Sequence, residues 1–211
     1  MEIMTQLEIP KGEELEFDEE THTYTLKGVV VPSVTQIMSV APNMDYAAIS
    51  PFVLQAAAER GTAVHAAVEM YVRYGVDECE DEYRAYMDAF RLWWDSTKPR
   101  FLAAELPLAR ETDACELYGP YAGTLDLLVS IDDHITLVDI KCTSKIYKEK
   151  YAVQLEAYTK MLEEYGVPVH RKIVLQLQKT GKFKTFEPPA KDDYSWDVFR
   201  AMRIVKEFSG K

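Results

Sequence analysis

An α/β fold is predicted by three observations: helical patterns alternate with strand patterns along the chain, two strand pairs are joined by short polar turns, and the long helices are bounded by serine-proline and glycine signals. Residues 15 to 31 read as a strand pair, with Phe17, Tyr24 and Leu26 set among polar residues and Gly28 at a turn. Pro32-Ser33-Val34-Thr35 opens a short helical segment to about Val40. Ser50 followed by Pro51 supplies a capping hydroxyl and a proline at the first helical position, so a helix is expected from there to Tyr74, stopped by Gly75. A second helix is expected from about Glu80 to Asp95, closed by Lys98-Pro99. Phe101 to Leu108 then alternates, with Leu102, Ala104, Leu106 and Leu108 on one face and Glu105 on the other. Tyr121 to Ile131 and Ile135 to Lys141 flank Asp132-Asp133-His134 as a hairpin. A helix from about Tyr147 to Tyr165 ends at Gly166, and Arg171 to Gln178 pairs with Phe183 to Glu187 across Lys179-Thr180-Gly181-Lys182. Asp193 to Phe208 forms the last helix.

One domain spanning 1–211 is expected: an N-terminal hairpin and short helix over 1–45, a helical segment over 50–95, a sheet core over 100–190 and a C-terminal helix over 192–211. No stretch approaches the roughly 18–20 apolar residues that span a bilayer, and the N-terminus is acidic, so a soluble cytoplasmic protein with no membrane partner is expected. Cys79, Cys115 and Cys142 are odd in number and scattered, which matches neither a disulfide framework nor a CxxC metal site. The net charge of -11 argues against a protein that coats nucleic acid indiscriminately. Local basic surfaces remain: Arg171 to Lys184 holds five basic residues and no acidic one, and Lys141, Lys145, Lys148 and Lys150 crowd a second segment.

Candidate chemistry begins at the end of an apolar strand. Side chains alternate along a strand, so Asp139 and Lys141 share a face while Ile140 and Cys142 point the other way. Among the 35 acidic residues, Asp139 alone is followed two positions later by lysine. Taken by itself, that pair reads first as a surface ion pair. Gly123-Thr124-Leu125-Asp126 begins the partner strand, and antiparallel pairing across the short turn brings Asp126 towards Asp139. Two carboxylates held together require a cation or a shared proton, and hard oxygen ligands suit Mg²⁺. His65 lies within a helix rich in Ala and Val, where an imidazole either packs or ligates a metal, and Gln154 and Tyr158 share a helix face.

Taken in order, His65, Glu105, Gly123-x-x-Asp126, Asp139-Ile140-Lys141 and Gln154-x-x-x-Tyr158 resemble the motif series of RecB-type nucleases of the PD-(D/E)xK superfamily. Phe17-Asp18, His22-Thr23-Tyr24, Gly28 and Val31-Pro32-Ser33-Val34-Thr35 resemble the start of phage-type exonucleases of this group. The resemblance implies a restriction-endonuclease-like core, a central mixed sheet flanked by helices, with the N-terminal hairpin and helical extension added. It implies that His65, Asp126, Asp139 and the Ile140 carbonyl hold Mg²⁺ or Mn²⁺, and that Lys141 positions or activates the attacking water and stabilises developing charge. Gln154 and Tyr158 would support the site and the substrate strand, and Glu105 would be an accessory carboxylate. The expected activity is metal-dependent exonucleolytic hydrolysis of DNA phosphodiesters in phage or mobile-element recombination or repair. Partners would be DNA, further copies of the chain, and a recombinase or single-strand-binding protein. An endonuclease on the same core and a non-catalytic DNA-binding module are the alternatives. The chain departs from many relatives in having Asp at position 139 where they have Glu, and it has no four-cysteine set for an iron-sulfur cluster.

Overall fold

The computed structural model describes residues 14–41, 50–111 and 118–209. The acidic N-terminal stretch before residue 14 and Cys115 lie outside them. Two sheets are present. A small antiparallel one has the order β1 (Leu15–Asp18), β2 (Thr23–Leu26), β3 (Val29–Val31), so the expected strand pair is a three-stranded meander. The large sheet has the order β4 (Arg100–Arg110), β5 (Tyr121–Ile131), β6 (His134–Lys141), β7 (Arg171–Leu177), β8 (Phe183–Phe186). All its neighbours are antiparallel except β6 and β7, which run parallel and are joined by α4 (Lys148–Glu164). The sheet is therefore mixed, and helices flank it, as the sequence predicts.

Two apolar cores separate the layers. On one face α4, α1 (Val34–Met38) and α5 (Asp193–Ser209) cover Leu102, Leu125, Leu128, Leu137 and Val174. On the other, α2 (Pro51–Tyr74) and α3 (Arg84–Thr97) cover Ala104, Leu127, Val129, Val138 and Ile140. Burying a side chain of this kind contributes about 1.5–3 kcal/mol, and Leu125, Leu127, Leu128 and Val138 are wholly buried. The central strands are thus apolar on both faces, which is why a carboxylate among them stands out.

Local signals explain the element ends. Pro51 sits in the first turn of α2, but the Ser50 hydroxyl makes no capping bond, contrary to expectation. A complete capping box occurs instead at Ser33 and Gln36, ahead of α1. The segment from Glu80 begins as a 3-10 turn at Asp81–Tyr83 before α3. Asp132 and Asp133, with φ of 50° and 64°, make the two-residue turn between β5 and β6.

The expected alternation along β4 fails at one point. Leu102, Leu106 and Leu108 pack on the α4 side, whereas Ala104 packs against α2 and α3. A register shift between Phe101 and Ala103 and a left-handed φ of 43° at Glu105 together reverse the pleat. Across the ladder the same reversal occurs on β5: Leu125 and Leu127 are two residues apart yet belong to opposite cores. Glu105 and Asp126 lie at the two reversals, between the register pairs Ala104–Leu127 and Leu106–Leu125.

Candidate metal centre

The large sheet splays where the pleat reverses. β5 pairs with β4 from Tyr121 to Ser130, but its pairing with β6 runs only between Leu127–Val138 and Ile131–His134. Beyond that point Asp126 and Asp139 face a widening gap between the two strands. The Ile140 amide, with no β5 carbonyl opposite it, donates instead to Asp126 Oδ2 at 2.6 Å. β6 keeps its parallel pairing with β7 through Lys141, so Asp139 and Lys141 are held on a firm strand.

α2 brings the imidazole to this gap. Arg60 donates to the Cys142 carbonyl at 3.2 Å, and Arg73 donates to the Ala104 carbonyl, so the helix is tied to β6 and β4 on either side of His65. His65 Nδ1 lies 3.2 Å from Glu105 Oε1 and 3.7 Å from Asp126 Oδ1, and Nε2 lies 3.1 Å from the Ile140 carbonyl oxygen. Both ring nitrogens thus face oxygen atoms, an arrangement that favours the imidazolium form. Burial opposes that charge, but Asp126 and Glu105 override it and lift the His65 pKa to about 9.

The opposite wall is the lysine. Lys141 Nζ donates to Asp139 Oδ1 at 2.6 Å and lies 4.0 Å from Asp126 Oδ2. Burial alone would discharge this ammonium, yet Asp139 and Asp126 hold its pKa above the ordinary lysine value. Asp139 is 3% exposed, and burial together with nearby Asp126, against the pull of Lys141, pushes its pKa up to about 6. Its second oxygen, Oδ2, accepts no hydrogen bond from any described residue. Burial, partly offset by the bond to His65, likewise raises the Glu105 pKa.

Three carboxylates therefore share one ammonium and one imidazole, and one buried carboxylate oxygen is left over. This donor set fits a divalent cation: hard oxygens, one nitrogen and an excess of negative charge. Among the described residues, ligand atoms of His65, Glu105 and Asp126 lie within 4.8 Å of one another. Glu105, expected only as an accessory, sits in this trio, while Asp139 lies across the gap on Lys141. The left-handed backbone at Glu105 is what turns its carboxylate out of the pleat towards His65.

Gln154 and Tyr158 project from α4 into a polar cavity of about 290 Å³ that opens onto Asp126. Gln154 hydrogen-bonds the Tyr158 hydroxyl, whose pKa burial pushes well above the ordinary value. Gly123 explains the spacing of the Gly-x-x-Asp motif. A Cβ there would lie 2.9 Å from Tyr158 Cε1, so only glycine admits the tyrosine ring.

Several walls of this cavity belong to motifs quoted from the sequence but given no site role there, and Gln36 is not singled out at all. Tyr24, Ser33, Thr35, Gln36 and Thr124 line it together with His22. Tyr24 Oη and Thr124 Oγ1 are hydrogen-bonded at 2.8 Å, and the Ala122 amide donates to the Pro32 carbonyl at 3.1 Å. The small sheet is thus docked beside the first residues of β5. The place of His22, Tyr24, Ser33 and Thr35 in the opening motif, and that of Thr124 inside the Gly123–Asp126 motif, was the available signal.

The chain matches no protein-family model and no curated protein. Among solved structures it is similar to SSO0001, at 10% identity and TM-score 0.40, over 58% of this chain and 56% of that one. It is also similar to a protein of Eubacterium rectale named "Putative exonuclease", at 12% identity and TM-score 0.47, over 70% of this chain and 64% of that one. The chain spans less than two thirds of the length of either. Both overlaps are too loose to bear on function, which is read from the chain's own residues. Among the described residues, no helix is long and apolar enough to cross a membrane.

Proposed function

We propose that this protein is a metal-dependent nuclease that hydrolyses DNA phosphodiesters, acting from strand ends. The observation that carries the reading is the convergence of Asp126, Asp139, Lys141 and His65 at the splayed end of β5 and β6, with more carboxylate charge than the protein itself neutralises. His65, Asp126, Asp139 and the Ile140 carbonyl would hold Mg²⁺ or Mn²⁺, with Glu105 close enough to join them or to orient the His65 ring. Such an ion, when bound, supplies a Lewis acid that polarises the phosphate and eases ionisation of water.

The chain's own groups account for the rest. Lys141 is kept as an ammonium by its carboxylate neighbours, so it acts as a donor: it orients the attacking water and offsets charge growing on the phosphoryl oxygens. Asp139 fixes the lysine by the 2.6 Å bond. Ile140, through its amide to Asp126, locks the carboxylate that would otherwise swing into the gap. Tyr158 and Gln154 present a neutral phenol and an amide to the cavity beside Asp126, suited to a phosphate oxygen or sugar hydroxyl. The preference for ends, the phage or mobile-element setting, oligomers and a recombinase or single-strand-binding partner rest on the motif resemblance alone.

The test is digestion of end-labelled linear DNA and covalently closed circular DNA with Mg²⁺, Mn²⁺ or chelator. Metal-dependent loss of the linear form alone is expected. Cutting of the circle would establish the endonuclease alternative. DNA bound but never cut with either ion would leave a non-catalytic binding module.

A further inference from the structure

A second depression, an apolar groove of about 640 Å³, lies between the start of α4, the segment after β8 and α5. Tyr147, Phe186, Pro188 and Tyr194 form much of its wall, and Lys148 and Lys150 stand at its margin. Tyr147 is 44% exposed and Tyr194 77% exposed, so two large rings face solvent in a place where core packing does not require them. Three lysines accompany the rings: Lys145 Nζ lies 4.7 Å from the Tyr147 centroid, Lys148 Nζ 5.1 Å from that of Phe186, and Lys150 Nζ 5.8 Å from that of Tyr151. Glu149 and Asp192 also line the groove, so its charge is mixed, with Lys145 adding a further ammonium beside Tyr147.

The groove lies near the metal centre, separated from it by the buried Tyr151 ring. Lys141 Nζ sits 5.2 Å from the same Tyr151 ring that Lys150 shares.

We propose that this groove receives the unpaired bases of the substrate strand, with the phosphates between them held by Lys148 and Lys150. This rests on the nuclease reading, and it goes further by naming the form of the substrate. The exposed rings call for flat apolar faces, and Lys148 and Lys150 for negative charge between them. A single strand offers both, whereas in a duplex the base faces are stacked on one another and only their edges are open. Rings that stack bases without reading their edges bind without sequence preference. The enzyme therefore takes single strands, or ends that have frayed.

Fluorescence anisotropy with labelled oligothymidylate and with a blunt hairpin duplex, in chelator so that nothing is cut, tests the groove directly. The wild-type chain is expected to bind the single strand at least about tenfold more tightly than the duplex. Tyr147→Ala or Tyr194→Ala should weaken the single-strand complex by about fivefold to 100-fold, on the scale of one lost stacked base. Lys148→Gln should flatten the salt dependence of that affinity by about 0.7 in logarithmic slope. Circular dichroism melts of the variants, expected to match wild type because both rings are exposed, separate lost binding from lost fold. Single-strand affinity unchanged in folded Tyr147→Ala and Tyr194→Ala, or duplex bound as tightly as single strand, would overturn the proposal. So would a stable dimer that Tyr194→Ala dissolves, since a second copy would then fill the groove. Cleavage assays on the same proteins keep the two readings apart. Cutting with no effect of the groove variants leaves the nuclease and removes the groove, whereas groove-dependent binding with no cutting by any form does the reverse.

Discussion

Two buried lysine-carboxylate pairs lie on neighbouring strands of the large sheet, and their surroundings differ in one respect. Lys172 on β7 donates to Glu156 of α4, with side chains 0% and 3% exposed, and Lys160 lies 3.7 Å from the other Glu156 oxygen. Lys160 also pairs with Glu163 at 2.9 Å, so two ammoniums there balance two carboxylates, and both Glu156 oxygens are engaged. Lys141 on β6 donates to Asp139, but Asp126 and Glu105 crowd the same space and Asp139 Oδ2 is left without a donor among the described residues. Burial of an ion pair is common to both, so burial does not mark a site. The imbalance does: one cluster is saturated by its own cations, and the other asks for a further positive charge.

Exchanging the two pairs' fates is the sharpest way to break that contrast. Asp126→Ala, Asp139→Ala and Lys141→Ala should each lower the cleavage rate by about 100-fold or more, with far-ultraviolet circular dichroism unchanged. Wild-type turnover in all three would remove the reading altogether. Lys172→Ala should do the opposite, costing about 3–5 kcal/mol of stability by stranding Glu156, while the folded fraction cuts normally. Urea unfolding read beside the activity of the same sample separates the two. Replacing both partners, as Glu156→Leu with Lys172→Met, should recover most of that loss, because a saturated pair has an apolar substitute and a cation-seeking cluster does not.

How far the sequence reveals this contrast depends on which links are local. Asp139 and Lys141 share a strand face by period two, and Asp132-Asp133 marks the turn that brings Asp126 back towards them, so the heart of the cluster is legible from spacing. His65 is legible as a helical position, but not as a partner of Glu105, forty residues away. The role of Glu105 is hidden for a physical reason. Alternation places it correctly opposite Leu102 and Leu106, yet only the left-handed backbone at that residue aims it at the imidazole, and the same reversal moves Ala104 to the other core. Lys172 illustrates the converse: its burial comes from α4 packing across the strand, and nothing in Arg171-Lys172-Ile173 announces it. The cavity walls Tyr24 and Thr124 meet across 100 residues and two sheets, so only tertiary structure joins them.

Gly123 offers a smaller test of how tightly the metal side is built. Gly123→Ala would force a methyl against Tyr158 at 2.9 Å, and the ring, buried on α4, has to move. Overpacking of this sort costs about 1–3 kcal/mol, and cleavage should fall with it because the phenol leaves the cavity beside Asp126. Tyr158→Leu in the same chain frees the space, so stability should return while activity does not. Return of both would reduce Tyr158 to packing.

The smallest effect expected is a titration of the metal centre. Asp139 and His65 both have folded pKa values above their ordinary ones, about 6 against 3.8 and about 9 against 6.5. A raised value means the folded state binds the proton more tightly than the unfolded chain, so the stability it contributes is present at low pH and is lost as pH rises through the folded value. The cation-free protein should therefore lose stability in two steps, between about pH 4 and 6 and again between about 6.5 and 9. Divalent ions compete with those same protons, so the increase in melting temperature on adding Mn²⁺ should grow across the same ranges. His65→Asn should abolish the upper step and leave the lower one. Melting temperatures measured with and without Mn²⁺ from about pH 4 to 9 decide it: an ion-induced shift independent of pH would mean that neither group gives up its proton to the metal.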